Sequence, residues 1–145
     1  MLQIAKLTDY ALIICGQLAQ EPSIISANAL ADKLHLTAPT VSKILKILSD
    51  AGLVVSTRGA EGGYQLVKDG TTLSVAEIVI AMEGALAMTE CCEKQYTCGV
   101  YSSCHMRDSW RKINGMIQSL LSTISINDMI TGKITSKYGV GSHEQ

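Results

Sequence analysis

The chain has 145 residues, 47% of them hydrophobic, with a formal net charge of -1. That is enough for one compact core, or for a small domain plus an extended assembly element. No run of eighteen apolar residues and no cleavable leader is visible, which predicts a soluble, cytoplasmic protein with no membrane partner; the near-zero charge means that any basic surface must be local.

Lys6 to Gln20 reads as a helix, because Leu7, Ala11, Ile14, Cys15 and Leu18 recur at helical spacing. Cys15 falls on that apolar face and behaves as a core residue. Asp9 opens the helix, where a carboxylate favours the positive end of the dipole. Pro22 ends it by disfavouring helix at the residue before. A second helix is expected from Ser26 to Leu34, capped by Ser26 or Asn28, with Ala29, Leu30 and Leu34 inward. After a turn at His35-Leu36, Thr37 caps a third helix, and Pro39 is tolerated in its first turn. There Val41, Ile44, Leu45 and Leu48 share one face, while Thr40, Ser42, Lys43 and Lys46 lie off it, and Gly52 follows as a left-handed stop.

Two short helices joined by a tight turn, the second presenting small hydroxyls and lysines at its start, form the pattern of a helix-turn-helix. Hydroxyls and free N–H groups at a helix start suit phosphate oxygens, and short side chains let a helix settle into the major groove. Leu53 to Thr57 and Tyr64 to Val67 then read as two strands around the turn Arg58-Gly59-Ala60-Glu61-Gly62-Gly63. This makes a winged helix whose tip carries Arg58, a side chain suited to a narrow minor groove. The first seventy residues hold six basic and six acidic side chains. One copy should therefore bind DNA poorly, and useful affinity needs two copies on a two-fold site.

Ser74-Val75-Ala76-Glu77 is a capping box opening a fourth helix, with Val75, Ile78, Val79 and Met82 inward and Gly84 at its end. A polar segment follows that holds Cys91, Cys92, Cys98 and Cys104. Disulfides do not suit the expected reducing compartment. Close C-x2-C pairs, typical of structural zinc, are missing, whereas wide, even spacing suits a loop around something larger than one ion. Spacing alone leaves zinc and an iron-sulfur cluster both open. Trp110, Ile113, Ile117, Leu120, Leu121 and Ile124 then form a near-heptad seam on a helix from Met106 to Thr123, with Arg107, Arg111 and Lys112 outside it, a pattern typical of dimerisation, the alternative being a helix folded back onto its own domain. Residues from Thr131 onward read as a disordered tail. No Ser-His-Asp, paired-carboxylate or phosphate-loop constellation is present, so no enzyme and no small-molecule substrate is expected.

These residues carry a resemblance. Lys6-Leu7-Thr8-Asp9-Tyr10-Ala11-Leu12, Thr40-Val41-Ser42-Lys43-Ile44-Leu45, Ala51-Gly52-Leu53-Val54 and the wing Arg58 to Tyr64 resemble the winged-helix iron-sulfur transcriptional regulators that include IscR and NsrR. Within that family, Leu86 to Asn114, with Thr89-Glu90-Cys91, Cys98, Cys104 and Arg107 to Asn114, looks most like the regulator of the SUF cluster-assembly system. The resemblance favours a cluster over zinc. It implies a 2Fe-2S or 4Fe-4S cluster held by Cys98, Cys104 and either Cys91 or Cys92, the Thr-Glu-Cys context selecting Cys91. For a fourth ligand it implies Asp9 of the partner subunit, ahead of His105; Arg107 stands where IscR has a histidine. It also implies DNA contacts from Thr40, Ser42, Lys43, Arg58 and Tyr64, to which Lys46 is added from its place on the recognition helix.

The expected fold is mainly α with a small β-hairpin wing: a winged helix-turn-helix over residues 1–83, a cysteine cluster-binding loop over 84–105, a dimerisation helix with a short C-terminal segment over 106–130, and a tail over 131–145. The expected function is that of a homodimeric DNA-binding repressor that senses iron-sulfur status and controls cluster-assembly genes from a double-stranded operator. A nitric-oxide or redox sensor of the same fold, and an iron-sulfur carrier or electron-transfer protein, are the alternatives.

Overall fold

The computed structural model describes residues 3–93, 98–100 and 102–134. In chain order these form α1 (Lys6–Gln20), α2 (Ala27–Leu34), α3 (Ala38–Asp50), β1 (Val54–Thr57), β2 (Gly63–Leu66), α4 (Val75–Glu83), a 3-10 turn at Glu90–Cys92, α5 (Arg107–Thr123) and α6 (Ile126–Thr131). The winged helix and the long helix expected from the sequence are both present.

The core is built around α1. Ala11, Ile14 and Cys15 are fully buried and meet Leu30 of α2, Val41, Ile44, Leu45 and Leu48 of α3, Leu73, and Ile78 of α4. Thr8, with one small hydroxyl, is buried on the same face. In α2 the inward pair is Leu30 and Ala31, whereas Ala29, expected to face in, is exposed. Ser26 accepts from the Ala29 N–H and fixes the helix start, and one residue of helix turns Ala29 about 100° away from Leu30. His35 closes α2 in the left-handed region, with φ 54° and its N–H directed to the Ala31 and Asp32 carbonyls. That single residue sets the tight turn into α3.

β1 and β2 pair antiparallel, with Val54 opposite Leu66 and Thr57 opposite Gly63. The hairpin is anchored through Tyr64, whose N–H donates to the Ile25 carbonyl at 2.8 Å and whose carbonyl accepts from the Ile25 N–H at 3.2 Å. Gly63 lies against the Ile25 backbone, leaving no room for a side chain. The wing is therefore fixed at its root to the segment before α2.

The sequence reading missed α6. Ser125 and Asp128 form a capping box at its start, matching the Ser74–Glu77 box that opens α4. The two boxes lie side by side: the Val75 N–H donates to the Ile124 carbonyl at 2.9 Å and the Ile126 N–H to the Leu73 carbonyl at 2.9 Å. This pairing returns the chain to the winged helix after α5, and Ile126 enters the core. Thr131, where the tail was expected to begin, is the last residue of α6; Ile134 packs on Val75, Val79 and Ile124, and residues 135–145 lie outside the described residues.

The apolar seam expected on α5 divides into two stripes. Trp110, Ile117 and Leu121 are half-buried toward their own chain, and Ile124, just past the helix, is buried against Val75 and Val79. Ile113 and Leu120 instead join Met116 on an exposed stripe, at 41%, 44% and 71% exposure. Helical rotation separates them, because positions 113, 116 and 120 are offset from 110, 117 and 121 around the axis.

Gly63→Ala should lower stability by about 1–3 kcal/mol, because the added methyl must push the wing off Ile25. Thermal unfolding followed by circular dichroism checks this.

Candidate nucleic-acid interface and cysteine site

At the start of α3 the Thr37 and Thr40 hydroxyls are bonded to each other at 2.7 Å, and Thr37 does not cap the helix with its side chain. The first turn carries no acidic residue, so the positive end of the helix dipole is uncompensated there. Ser42, Lys43 and Lys46 are exposed and Thr40 is half-buried, as their position off the apolar face requires. Lys46 pairs with Asp50 at 3.0 Å; both side chains are largely in water, so that pair is weak and readily exchanged for a phosphate. Arg58 is exposed at the wing turn. Tyr64 differs from the others, being half-buried and packed against the core. The interface thus has small hydroxyls and two lysines on one helix and one arginine on a hairpin packed against that helix.

Cys91, Cys92, Cys98 and Cys104 are free and half-buried, unlike Cys15, which burial pushes up to about 12 and keeps protonated within the core. Cys15 is fully buried among Ala11, Ile14 and the other core residues, apart from the cysteine loop. Cys91 and Cys92 lie in the 3-10 turn that Thr89 introduces. The Thr89 hydroxyl is 3.1 Å from the Cys91 Sγ and 3.2 Å from the Cys92 Sγ. Cys92 also lines a cleft of about 530 Å³ between the end of α4 and α5, with Ile80, Leu86, Asn114 and Gln118.

Two side chains of α5 hold this segment. Asn114 accepts the Met88 N–H on Oδ1 at 2.9 Å, and Arg111 donates from Nε to the Cys91 carbonyl at 3.3 Å. Arg111 is exposed, as its place outside the seam predicts, and its long side chain reaches back to the loop, because residues three apart on a helix share a side and Asn114 already faces the loop. Thr89, Arg111 and Asn114 were not singled out from sequence as functional. The available signal was Asn114, a polar residue within the otherwise apolar stripe of Trp110, Ile117 and Leu121.

Asp9 is exposed on α1 beside a groove lined by Ile13, Gly16, Met129 and Ile130, and His105 is exposed just before α5. Among the described residues no three His, Cys, Asp or Glu side chains are grouped closely enough to hold a metal ion. Cys91, Cys98 and Cys104 are therefore not gathered on one centre, and neither Asp9 nor His105 joins them. By donor chemistry the loop fits a soft-metal or iron-sulfur centre, since it offers four half-buried thiols, two of them beside a hydroxyl able to hydrogen-bond a coordinated sulfur.

The Rrf2 family model, described as an iron-dependent transcriptional regulator, matches residues 4–132. Protein rrf2 of Nitratidesulfovibrio vulgaris is 28% identical over 106 residues, covering 73% of this chain and 71% of that protein. Among solved structures, IscR of T. potens superposes with a TM-score of 0.68 at 25% identity, covering 97% of this chain and 94% of the other. CymR of B. subtilis, titled the global cysteine regulator of that organism, superposes with a TM-score of 0.73 at 24% identity over 91% of this chain and 98% of its own, a likeness of fold.

Asn114→Ala removes the acceptor of the half-buried Met88 N–H and should cost about 1–3 kcal/mol. Faster proteolytic cutting within residues 88–104 than in the parent protein, together with a lower unfolding midpoint, is the expected result.

Proposed function

The chain belongs to the Rrf2 family of transcriptional regulators, and from that premise we propose that it works as a homodimer whose affinity for a two-fold DNA operator is set by an iron-sulfur cluster in the cysteine loop. It is a DNA-binding regulator rather than an enzyme. The observation that supports the reading is the pair of hydrogen bonds, Met88 N–H to Asn114 Oδ1 and Arg111 Nε to the Cys91 carbonyl, which tie the thiol-bearing segment to α5.

In this reading Cys98, Cys104 and Cys91, with Cys92 as the alternative first ligand, hold the cluster, and Asp9 of the partner subunit completes the set. His105 is the weaker candidate for that fourth place. A cluster supplies a centre that oxidants, nitric oxide or iron scarcity can alter. The chain's own residues do the rest. Gathering Cys98 and Cys104 toward Cys91 would bring these thiols onto one centre, and the tethers at Met88 and Cys91 would load that change onto α5. The exposed stripe of Ile113, Met116 and Leu120 is apolar enough to meet a second copy, so a shift of α5 changes the distance between two recognition helices. DNA affinity then differs between the two states because each presents different contacts to the operator, as any effector requires.

At the operator, Thr40, Ser42, Lys43 and Lys46 enter the major groove from α3, with the α3 start directed at phosphate. Arg58 reaches the adjacent minor groove, and Tyr64 supports the wing from its half-buried position. Repression follows if the site overlaps a promoter, and genes of iron-sulfur assembly are the proposed targets.

Anaerobic isolation should give a coloured protein with iron and sulfide in comparable amounts and little zinc. Cys98→Ser and Cys104→Ser should each lose the visible absorbance, only one of Cys91→Ser and Cys92→Ser should do so, and Asp9→Ala should alter the spectrum. Zinc in place of iron, or colour that survives loss of Cys98, would overturn the cluster assignment.

Lys43→Ala should weaken binding to operator and unrelated duplex alike and reduce the salt slope by about 1, as expected for one lost phosphate contact. Fluorescence anisotropy against salt, with protein in both cluster states, checks the reader independently of the sensor.

A further inference from the structure

Thr89 stands at the start of the 3-10 turn yet does not cap it. The turn is closed by backbone, the Cys92 N–H donating to the Thr89 carbonyl at 2.9 Å, and the side chain makes no capping bond. The half-buried hydroxyl instead lies 3.1 Å from one sulfur and 3.2 Å from the next. A threonine hydroxyl has one proton to give and lone pairs to receive with. Of two neighbouring sulfurs, a coordinated thiolate is the stronger acceptor, since hydrogen bonds to charged acceptors are the stronger kind. The remaining thiol can donate its own S–H to the same oxygen. The two contacts then form one short relay, from the spare thiol to the hydroxyl to the ligating sulfur.

We propose that Thr89 is a positioning residue for the cluster, donating its hydroxyl proton to the first ligating sulfur and thereby raising the reduction potential of the centre. This rests on the cluster reading above, but holds whether Cys91 or Cys92 is the ligand, because the hydroxyl reaches both. The physical basis is charge: reduction adds negative charge that spreads onto the ligand sulfurs, so a fixed donor there stabilises the reduced state more than the oxidised one. Hydrogen bonds to sulfur are among the features that set cluster potentials.

The test compares the anaerobically isolated full-length parent with Thr89→Val and Thr89→Ser. Iron and sulfide content are measured first, then the midpoint potential by redox titration of the visible absorbance. Thr89→Val keeps the shape and removes the proton, so its midpoint should move to a more negative value. Thr89→Ser restores the hydroxyl and should return close to the parent. The deuterium-sensitive shift of the iron-sulfur stretching bands on transfer to heavy water should also shrink in the valine variant and persist in the serine one. An iron-loaded valine variant with unchanged potential and unchanged deuterium sensitivity overturns the role of Thr89 alone. A parent protein without iron overturns the cluster reading, and this role with it. Should far-ultraviolet circular dichroism show the valine variant misfolded, Thr89→Ala makes the same comparison.

Discussion

Two backbone hydrogen bonds, joining Leu73 and Val75 to Ile124 and Ile126, turn the segment from Gly84 to Thr123 into an excursion that leaves and re-enters one domain. Both ends of that pairing are stiffened by a capping box, Ser74 with Glu77 and Ser125 with Asp128. Without this closure the C-terminal end of α5, about 25 Å from its start along 17 residues, would lose its seat on Val75 and Val79. With it, the far end of α5 is seated on Val75 and Val79, and α6 delivers Ile126 into the core against α1.

That anchoring gives α5 two separate apolar duties. One stripe belongs to the chain's own α4 and loop, and the neighbouring stripe of Ile113, Met116 and Leu120 is left in solvent. A helix with no fully buried residue gains little from its own domain. Its free stripe therefore has the character of a contact awaiting a second helix, as the proposed dimer requires. The cysteine segment is tied along the same helix by Asn114 and Arg111, so the proposed sensor and the proposed dimer contact share one rigid rod. A rod fixed at its far end and loaded near its start pivots readily. The proposed coupling uses that property.

The reader half is electrostatically restrained. Its cations are few, and Lys46 already has Asp50 beside it. Specific binding by such a surface depends on the helix start, the short hydroxyl side chains and doubling through symmetry, more than on bulk positive charge. The proposed control through the spacing of two copies would therefore have leverage that a strongly basic monomer would lack.

The sequence by itself determined the elements whose signals are local: the apolar spacing of α1 and α3, the Ser74–Glu77 box, the hairpin turn after Thr57, and the concentration of thiols between α4 and α5. Each depends on neighbours within a few residues, so periodicity and cap chemistry suffice. Only the tertiary structure decided what Ala29, Arg111, Thr89 and α6 do. Ala29 turned outward once Ser26 fixed the phase of α2; Arg111, exposed as expected, found a carbonyl twenty residues away in the chain; and six residues of α6 gained a purpose from pairing with Leu73 and Val75 far upstream. The division of the α5 seam followed the same logic, since an apolar pattern shows that a face will be covered and leaves open which chain covers it. Contacts between distant segments carry no local signal, because they depend on where folding brings two faces together.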